Sequence, residues 1–136
     1  MAAVSLTTAG KLNIVRSDSQ FTGTFAESCS VGQPVRLDAS TGKWTKANAT
    51  DTTENRVIGI LVSKDAAGAV GTVVRKGIVD GFALSSLNYG VSLYLSDTDG
   101  TVADAAGTTS VVLGRVVPGF GTTTGTAADK LFFIDL

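Results

Sequence analysis

The sequence has no histidine and a single cysteine, Cys29. Without an imidazole there is no His general base, no Ser–His–Asp triad and no His metal site. A lone cysteine makes neither an intrachain disulfide nor a cysteine zinc site. Ser28-Cys29-Ser30 places no base beside the thiol, so Cys29 reads as a small filler. Glutamate occurs only at Glu27 and Glu54. Charge of one sign is also missing: 11 basic residues face 12 acidic ones, for a net charge of −1. That lacks the clustered cationic surplus of a nucleic-acid binder. No run of 18 apolar residues is present, which predicts no membrane span. The start, Met1 to Thr8, lacks the basic residues and apolar run of a secretory signal and predicts synthesis in the cytoplasm.

What is abundant is β-branched or small. The 136 residues include 18 Thr, 16 Val and 16 Gly, and 43% are hydrophobic. Such a composition favours strands and is too apolar for a disordered chain. A chain of this length buries one core; two domains would each approach the size at which a core fails. We therefore expect one body over residues 31–136, preceded by an N-terminal arm with its first strand or strands over residues 1–30.

In that first segment Leu12, Ile14, Phe21 and Phe25 are isolated apolar points in a Ser/Thr/Gly background. Lys11 to Arg16 reads as a short strand and the rest as extended, either a loose terminus or an arm that orders on a partner. From residue 31 alternation sets in. Val35 and Leu37 share a face opposite Arg36, Asp38 to Gly42 is a turn, and Lys43 to Ala47 returns with Trp44 inward, which makes a hairpin. Asn48 to Asn55 is a polar loop.

Arg56 to Val62 reads as a strand buried on both faces, with Gly59 marking a bulge or close backbone approach. Ala66 to Ala69 turns the chain. Val70–Arg75 and Gly77–Phe82 read as two strands broken at Lys76-Gly77, and Ala83 to Tyr89 as one short helical turn. The hairpin then recurs: Gly90 to Ser96 matches Gly32 to Asp38, and Gly100 and Val102 match Gly42 and Trp44, all 58 residues on. Val112 to Val116 matches Val57 to Leu61, 55 residues on. Gly119 to Thr126 reads as a mobile low-complexity loop, and Lys130 to Leu136 as a last strand pinned in the sheet. The expected fold is all-β: a small barrel or sandwich of about eight strands, with two pseudo-repeated hairpin units and an extended N-terminal arm.

Candidate chemistry is thin. Asp97-Thr98-Asp99-Gly100 has the flavour of a calcium loop, but EF-hand positions one and twelve fall on Leu95 and Ala106. The matching Asp38 to Gly42 has Thr41 where Asp99 stands, so both segments read as hairpin turns. Gly119, Gly121 and Gly125 lack dinucleotide spacing and a βαβ context. Asn48-Ala49-Thr50 is a glycosylation acceptor only on a secretory route. Asp38, Asp80 and Asp104 have no evident partner and read as turn residues. Trp44, Tyr89 and Tyr94 are the candidates for a sugar platform; core or interface is the plainer role for them. No catalytic set, cofactor site or metal site emerges, and no enzyme is expected. The last strand, Leu131 to Leu136, is apolar on both faces, so Phe132, Ile134 and Leu136 are candidates for oligomer contacts.

Several motifs in series carry a resemblance. They are Gly32-Gln33-Pro34-Val35-Arg36-Leu37, Gly42, Val57-Ile58-Gly59-Ile60, Gly68 with Val70, Val73-Val74, Gly77-Ile78-Val79, Gly90 with Leu93-Tyr94-Leu95, and Leu113-Gly114-Arg115-Val116. In this order, over residues 30 to 117, the chain resembles the small decoration (cement) proteins of tailed-phage capsids, a family related to head-fibre base domains. The resemblance implies a β-rich domain on the outer surface of the expanded head, clamping neighbouring copies of the major capsid protein. It also implies a homotrimer and no catalytic residues. The partner is then protein, with neither nucleic acid nor membrane involved. Val4, Leu6, Leu12 and Ile14 of the arm are the candidate capsid contacts. The competing expectation is a fibre or tail β-module that binds carbohydrate or another virion protein.

Overall fold

The computed structural model describes residues 2–65, 69–119 and 130–136. These form ten strands and, among the described residues, no helix. In chain order the strands are β1 (Ala3–Val4), β2 (Asn13–Thr24), β3 (Pro34–Leu37), β4 (Trp44–Lys46), β5 (Val57–Lys64), β6 (Val70–Asp80), β7 (Ser92–Leu95), β8 (Val102–Ala103), β9 (Val112–Val117) and β10 (Leu131–Asp135). All strand pairings are antiparallel, in one curled half-barrel sheet of order β1-β8-β7-β9-β10-β6-β5-β3-β4, with β2 on β6 off this path.

The repeat seen in the sequence is a repeat of register. Between β3 and β5, Pro34 faces Ile60, Val35 faces Gly59 and Arg36 faces Val57 across a bulge. Between β7 and β9, Ser92 faces Arg115, Leu93 faces Gly114 and Tyr94 faces Val112 across the same bulge. A Cβ on Gly59 would lie 2.7 Å from the Val74 carbonyl oxygen, and one on Gly114 only 1.8 Å from that of Phe133. Glycine is therefore required at both bulges, where a neighbouring backbone occupies the side-chain position. The turns match too. The Asp38 N–H donates to the Lys43 carbonyl at 2.8 Å, and the Ser96 N–H to that of Thr101 at 3.0 Å. A side-chain oxygen of Asp38 takes the Ser40 N–H at 2.9 Å, and that of Ser96 takes the Thr98 N–H at 3.1 Å. Gly42 and Gly100 close these turns at φ 69° and 62°, left-handed backbone that glycine adopts without strain.

The halves β3–β6 and β7–β10 meet where β6 pairs β10, at Lys76 opposite Asp135. Strand β6 runs unbroken through Lys76-Gly77, so the expected pair of strands is one strand. The missing break is a rotation. Val74 and Val79 both enter the larger core although they are five residues apart, and Arg75 and Lys76 between them are both exposed. A regular strand would send Val74 and Val79 to opposite faces. As a result β6 carries β5 on its first half, β10 on its second and β2 along nearly all its length. Ala83 to Tyr89 is a set of turns instead of a helical turn; the Leu87 N–H reaches back three residues to the Leu84 carbonyl at 3.0 Å. The expected turn at 66–69 and loop at 119–126 lie largely outside the described residues.

The core has two compartments. The larger draws Ile60, Val62 and Val74 from the first half and Leu93, Val102, Leu113, Val116, Phe132 and Ile134 from the second. The smaller is made by Cys29, Val35, Trp44, Leu61 and Val73 on the other face of the first half. Residues 25–33 form a strap over it. Its backbone is tied at both ends, by the Ala26 N–H to the Trp44 carbonyl at 2.8 Å and the Gly32 N–H to that of Leu61 at 2.7 Å. Leu37, expected inward with Val35, lies at the rim of this compartment and is exposed.

Segments before residue 30 pair with strands of the body. Ala3 and Val4 pair with Ala103 and Val102, the Thr7 N–H donates to the Gly81 carbonyl at 2.8 Å, and β2 follows β6 from Asn13 to Thr24. Strand β2 contributes no buried residue. A strand held by backbone pairing to β6 with neither face buried has no apolar face to display, which is why its sequence reads as an arm.

Candidate docking surface

Directly opposed residues of antiparallel strands point to the same side of the sheet. Ser92, Arg115, Phe133 and Ile78 are opposed in turn across β7, β9, β10 and β6, and so form one row. Tyr94 and Val112 form the row beside it. Leu93, Val116, Phe132 and Ile134 alternate with these and enter the larger core, so the rows lie on the outer face. There Val112 is 44% exposed, Arg115 is exposed, and Tyr94, Phe133 and Ile78 are half-buried. Asp135, two residues beyond Phe133, shares the face and stands 3.9 Å from the Lys76 ammonium. The Arg115 guanidinium reaches the Gly90 carbonyl at 3.5 Å and has no carboxylate within ion-pair distance among the described residues. The result is a half-apolar sheet face bordered by cations.

The expected oligomer contacts do not lie on this face. Phe132 and Ile134 are fully buried, Phe132 edge-on to Phe82 with ring centres 5.3 Å apart. Leu136 packs partly buried against the same core. The outward residue of β10 is Phe133. A shift of one residue exchanges the two faces of a strand. Asp135 gave the signal: a charge that must meet water fixes Phe133 on its own side. The arm candidates divide likewise. Val4 is buried, Leu6 and Leu12 pack partly buried against the larger core, and only Ile14 is exposed. Val4 and Leu6 are held where β1 and the segment after it cover the core, with Val4 opposite Val102 and Leu6 bridged to Phe82.

Most of the remaining candidate carboxylates are occupied by structural bonds. Asp38 takes the N–H groups of Ser40 and Thr41, which hold its carboxyl below the usual range. Asp97 takes the N–H and hydroxyl of Thr108, both at 2.8 Å, and Asp99 takes the Asn48 amide at 2.6 Å. Asp104 takes the Ala2 N–H at 2.8 Å, and Asp80 stands opposite Asn13 in the sheet. Among the described residues no three His, Cys, Asp or Glu side chains come together as a metal site. Trp44 is buried with its indole N–H on the Gly71 carbonyl at 3.3 Å, so it offers no ring to a sugar. Tyr89 is exposed, with the Lys130 ammonium 5.4 Å from its ring centre. Burial raises the Cys29 thiol pKa, and Glu27 adds to the rise. An open groove of about 840 Å³ runs between the N-terminal segment and the strap. The Lys64 amine in it donates to the Cys29 carbonyl at 3.0 Å, and Asp65 accepts from the backbone of Ala69 and Val70.

Compared with protein-family models, curated proteins and solved structures, the chain matches none.

Proposed function

We propose that this chain is a structural protein of a tailed-phage virion. It binds the outer surface of the expanded head and holds adjacent major capsid subunits together, as a homotrimer and without catalysis. It is made in the host cytoplasm and recruited to finished heads. The observation that carries the reading is where the polar chemistry goes. Asp38 closes its own turn, Asp97 and Asp99 tie theirs to Thr108 and Asn48, and the sheet keeps one half-apolar, cation-bordered face turned outward. That is the pattern of a binding body. The serial resemblance to decoration proteins supplies the partner. A protein that binds the expanded shell and not its precursor stabilises the expanded state by mass action, and many copies on one closed shell need only modest affinity each.

The test mixes the chain with expanded heads assembled without it and with unexpanded heads, and measures the amount that cosediments. Saturable uptake by expanded heads alone is expected, together with a raised temperature of head disruption. Equal uptake by both, or none, overturns the reading.

A further inference from the structure

The internal repeat gives the outer face of the second half-sheet a counterpart. Ser92, Arg115 and Phe133 stand at the register positions of Pro34, Ile60 and Val74. In the first half that row is buried, and the sheet face of the second half packs on it in the larger core. The fold thus already contains a protein surface seated on this row in one half. In the other half the row carries Arg115 in place of Ile60 and remains accessible.

The charge around it differs from that of the whole chain. Arg115 lies on the face, exposed Lys76 stands beside it, exposed Arg75 precedes Lys76, and exposed Arg16, ion-paired with Asp18 at 2.9 Å, stands opposite Ile78. On the rows themselves the carboxylate is Asp135, already facing Lys76. The net charge of the chain is −1, so this cationic border is local. Two copies meeting through the centre of this face about a twofold axis beside Arg115 would bring Arg115 against Arg115, which like-charge repulsion disfavours. A polyphosphate would leave the centre at Phe133, Ile78 and Val112 unused.

We infer that the face centred on Phe133 and Arg115 docks on a different protein, one that presents an apolar patch rimmed by carboxylates. The identity of that protein as the capsid rests on the function proposed above; the face and the chemistry of its partner do not. Arg115 supplies attraction and orientation at the rim, and Phe133 with Val112 supplies the apolar contact.

Two arms test this with wild type, Arg115→Glu, Phe133→Ser and a distant control, Lys43→Glu, in the exposed β3–β4 turn. Thermal melts verify folding, and Arg115→Glu changes an exposed side chain and removes its long, 3.5 Å bond to the Gly90 carbonyl. In the first arm, binding to expanded heads is measured at low and moderate salt. At least tenfold weakening is expected for Arg115→Glu and for Phe133→Ser, with a shallower salt dependence for Arg115→Glu and less than twofold change for Lys43→Glu. If wild type binds and both face variants bind equally well, the inference is overturned while the capsid reading stands. If wild type does not bind heads, the capsid reading falls and the second arm decides. There the probe is carboxylate-modified polystyrene particles. Preferential adsorption lost in Arg115→Glu and kept in Lys43→Glu supports the face, and equal adsorption of the two overturns it. Sedimentation showing a wild-type dimer that Arg115→Glu abolishes would also overturn it, by making a second copy the occupant.

Discussion

In the first half-sheet, Val35, Trp44, Leu61 and Val73 lie beneath the strap of residues 25–33, and Ile60 and Val74 on the other face lie in the larger core. In the second half, the counterparts Leu93, Val102, Val116 and Phe132 fill the larger core, and Arg115 and Phe133 look outward. One register thus supports two environments: a half-sheet covered on both faces and one covered on one. Hydrogen-bond register and turn chemistry are backbone properties that survive exchange of side chains. Which face is buried depends on what the neighbouring chain segments supply.

The sharpest contrast between in and out lies within β10. Phe132→Ala empties a fully buried site against Phe82 and is expected to cost about 4 kcal/mol, whereas Phe133→Ala, half-exposed, costs about 1 kcal/mol. Urea unfolding of both variants checks this. Similar losses would mean that the outer face is covered in solution and would remove the distinction between the halves.

The two bulge glycines give the next effect. Gly114→Ala drives its Cβ into the Phe133 backbone and is expected to cost about 3 kcal/mol; Gly59→Ala, against the Val74 carbonyl at a longer distance, costs about 2 kcal/mol. Equilibrium unfolding ranks them. The reverse order would show that the shared bulge is more tightly packed in the strapped half than in the open one.

Much of this was readable in the residues. Both hairpins, both turns, the Gly59 bulge and its repeat at Gly114 follow from local rules of alternation and turn chemistry. The docking face was harder to read. Tyr94 falls opposite Leu93 and Leu95 by alternation, but in β10, apolar on both faces, Asp135 alone marks Phe133 over Phe132, and the register against β9 and β6 agrees with it. The rotation of β6 near Arg75-Lys76 interrupts its alternation, and from the residues alone that interruption is indistinguishable from the end of one strand and the start of another. In the first 30 residues the strand read at Lys11 to Arg16 overlaps the start of β2, but its run to Thr24 was not legible, because β2 buries nothing and its place depends on backbone pairing that no side-chain pattern reports.

The strap gives the smallest and most local test of the comparison, since among the described residues the second half has no counterpart to it. The Glu27 carboxylate accepts from the Thr45 hydroxyl and from the Lys46 N–H at 3.2 Å, with the Lys46 ammonium at 3.7 Å. The Thr45 bond is the main reason its pKa lies below the ordinary carboxylate value; Lys46 adds to the effect and partial burial opposes it. A carboxyl whose folded pKa is lowered stabilises the fold above its unfolded pKa, and that stabilisation is lost as pH falls through the folded value. Acidification below the usual carboxylate range should therefore loosen the strap over Trp44 while the larger core persists. The expected signal is a small red shift of Trp44 emission ahead of global acid unfolding. Glu27→Gln should show part of that shift already at neutral pH and little further change until the whole fold gives way. If Trp44 emission holds steady until global unfolding in both proteins, the strap is part of one cooperative core, and the two compartments are a distinction of geometry without energetic independence.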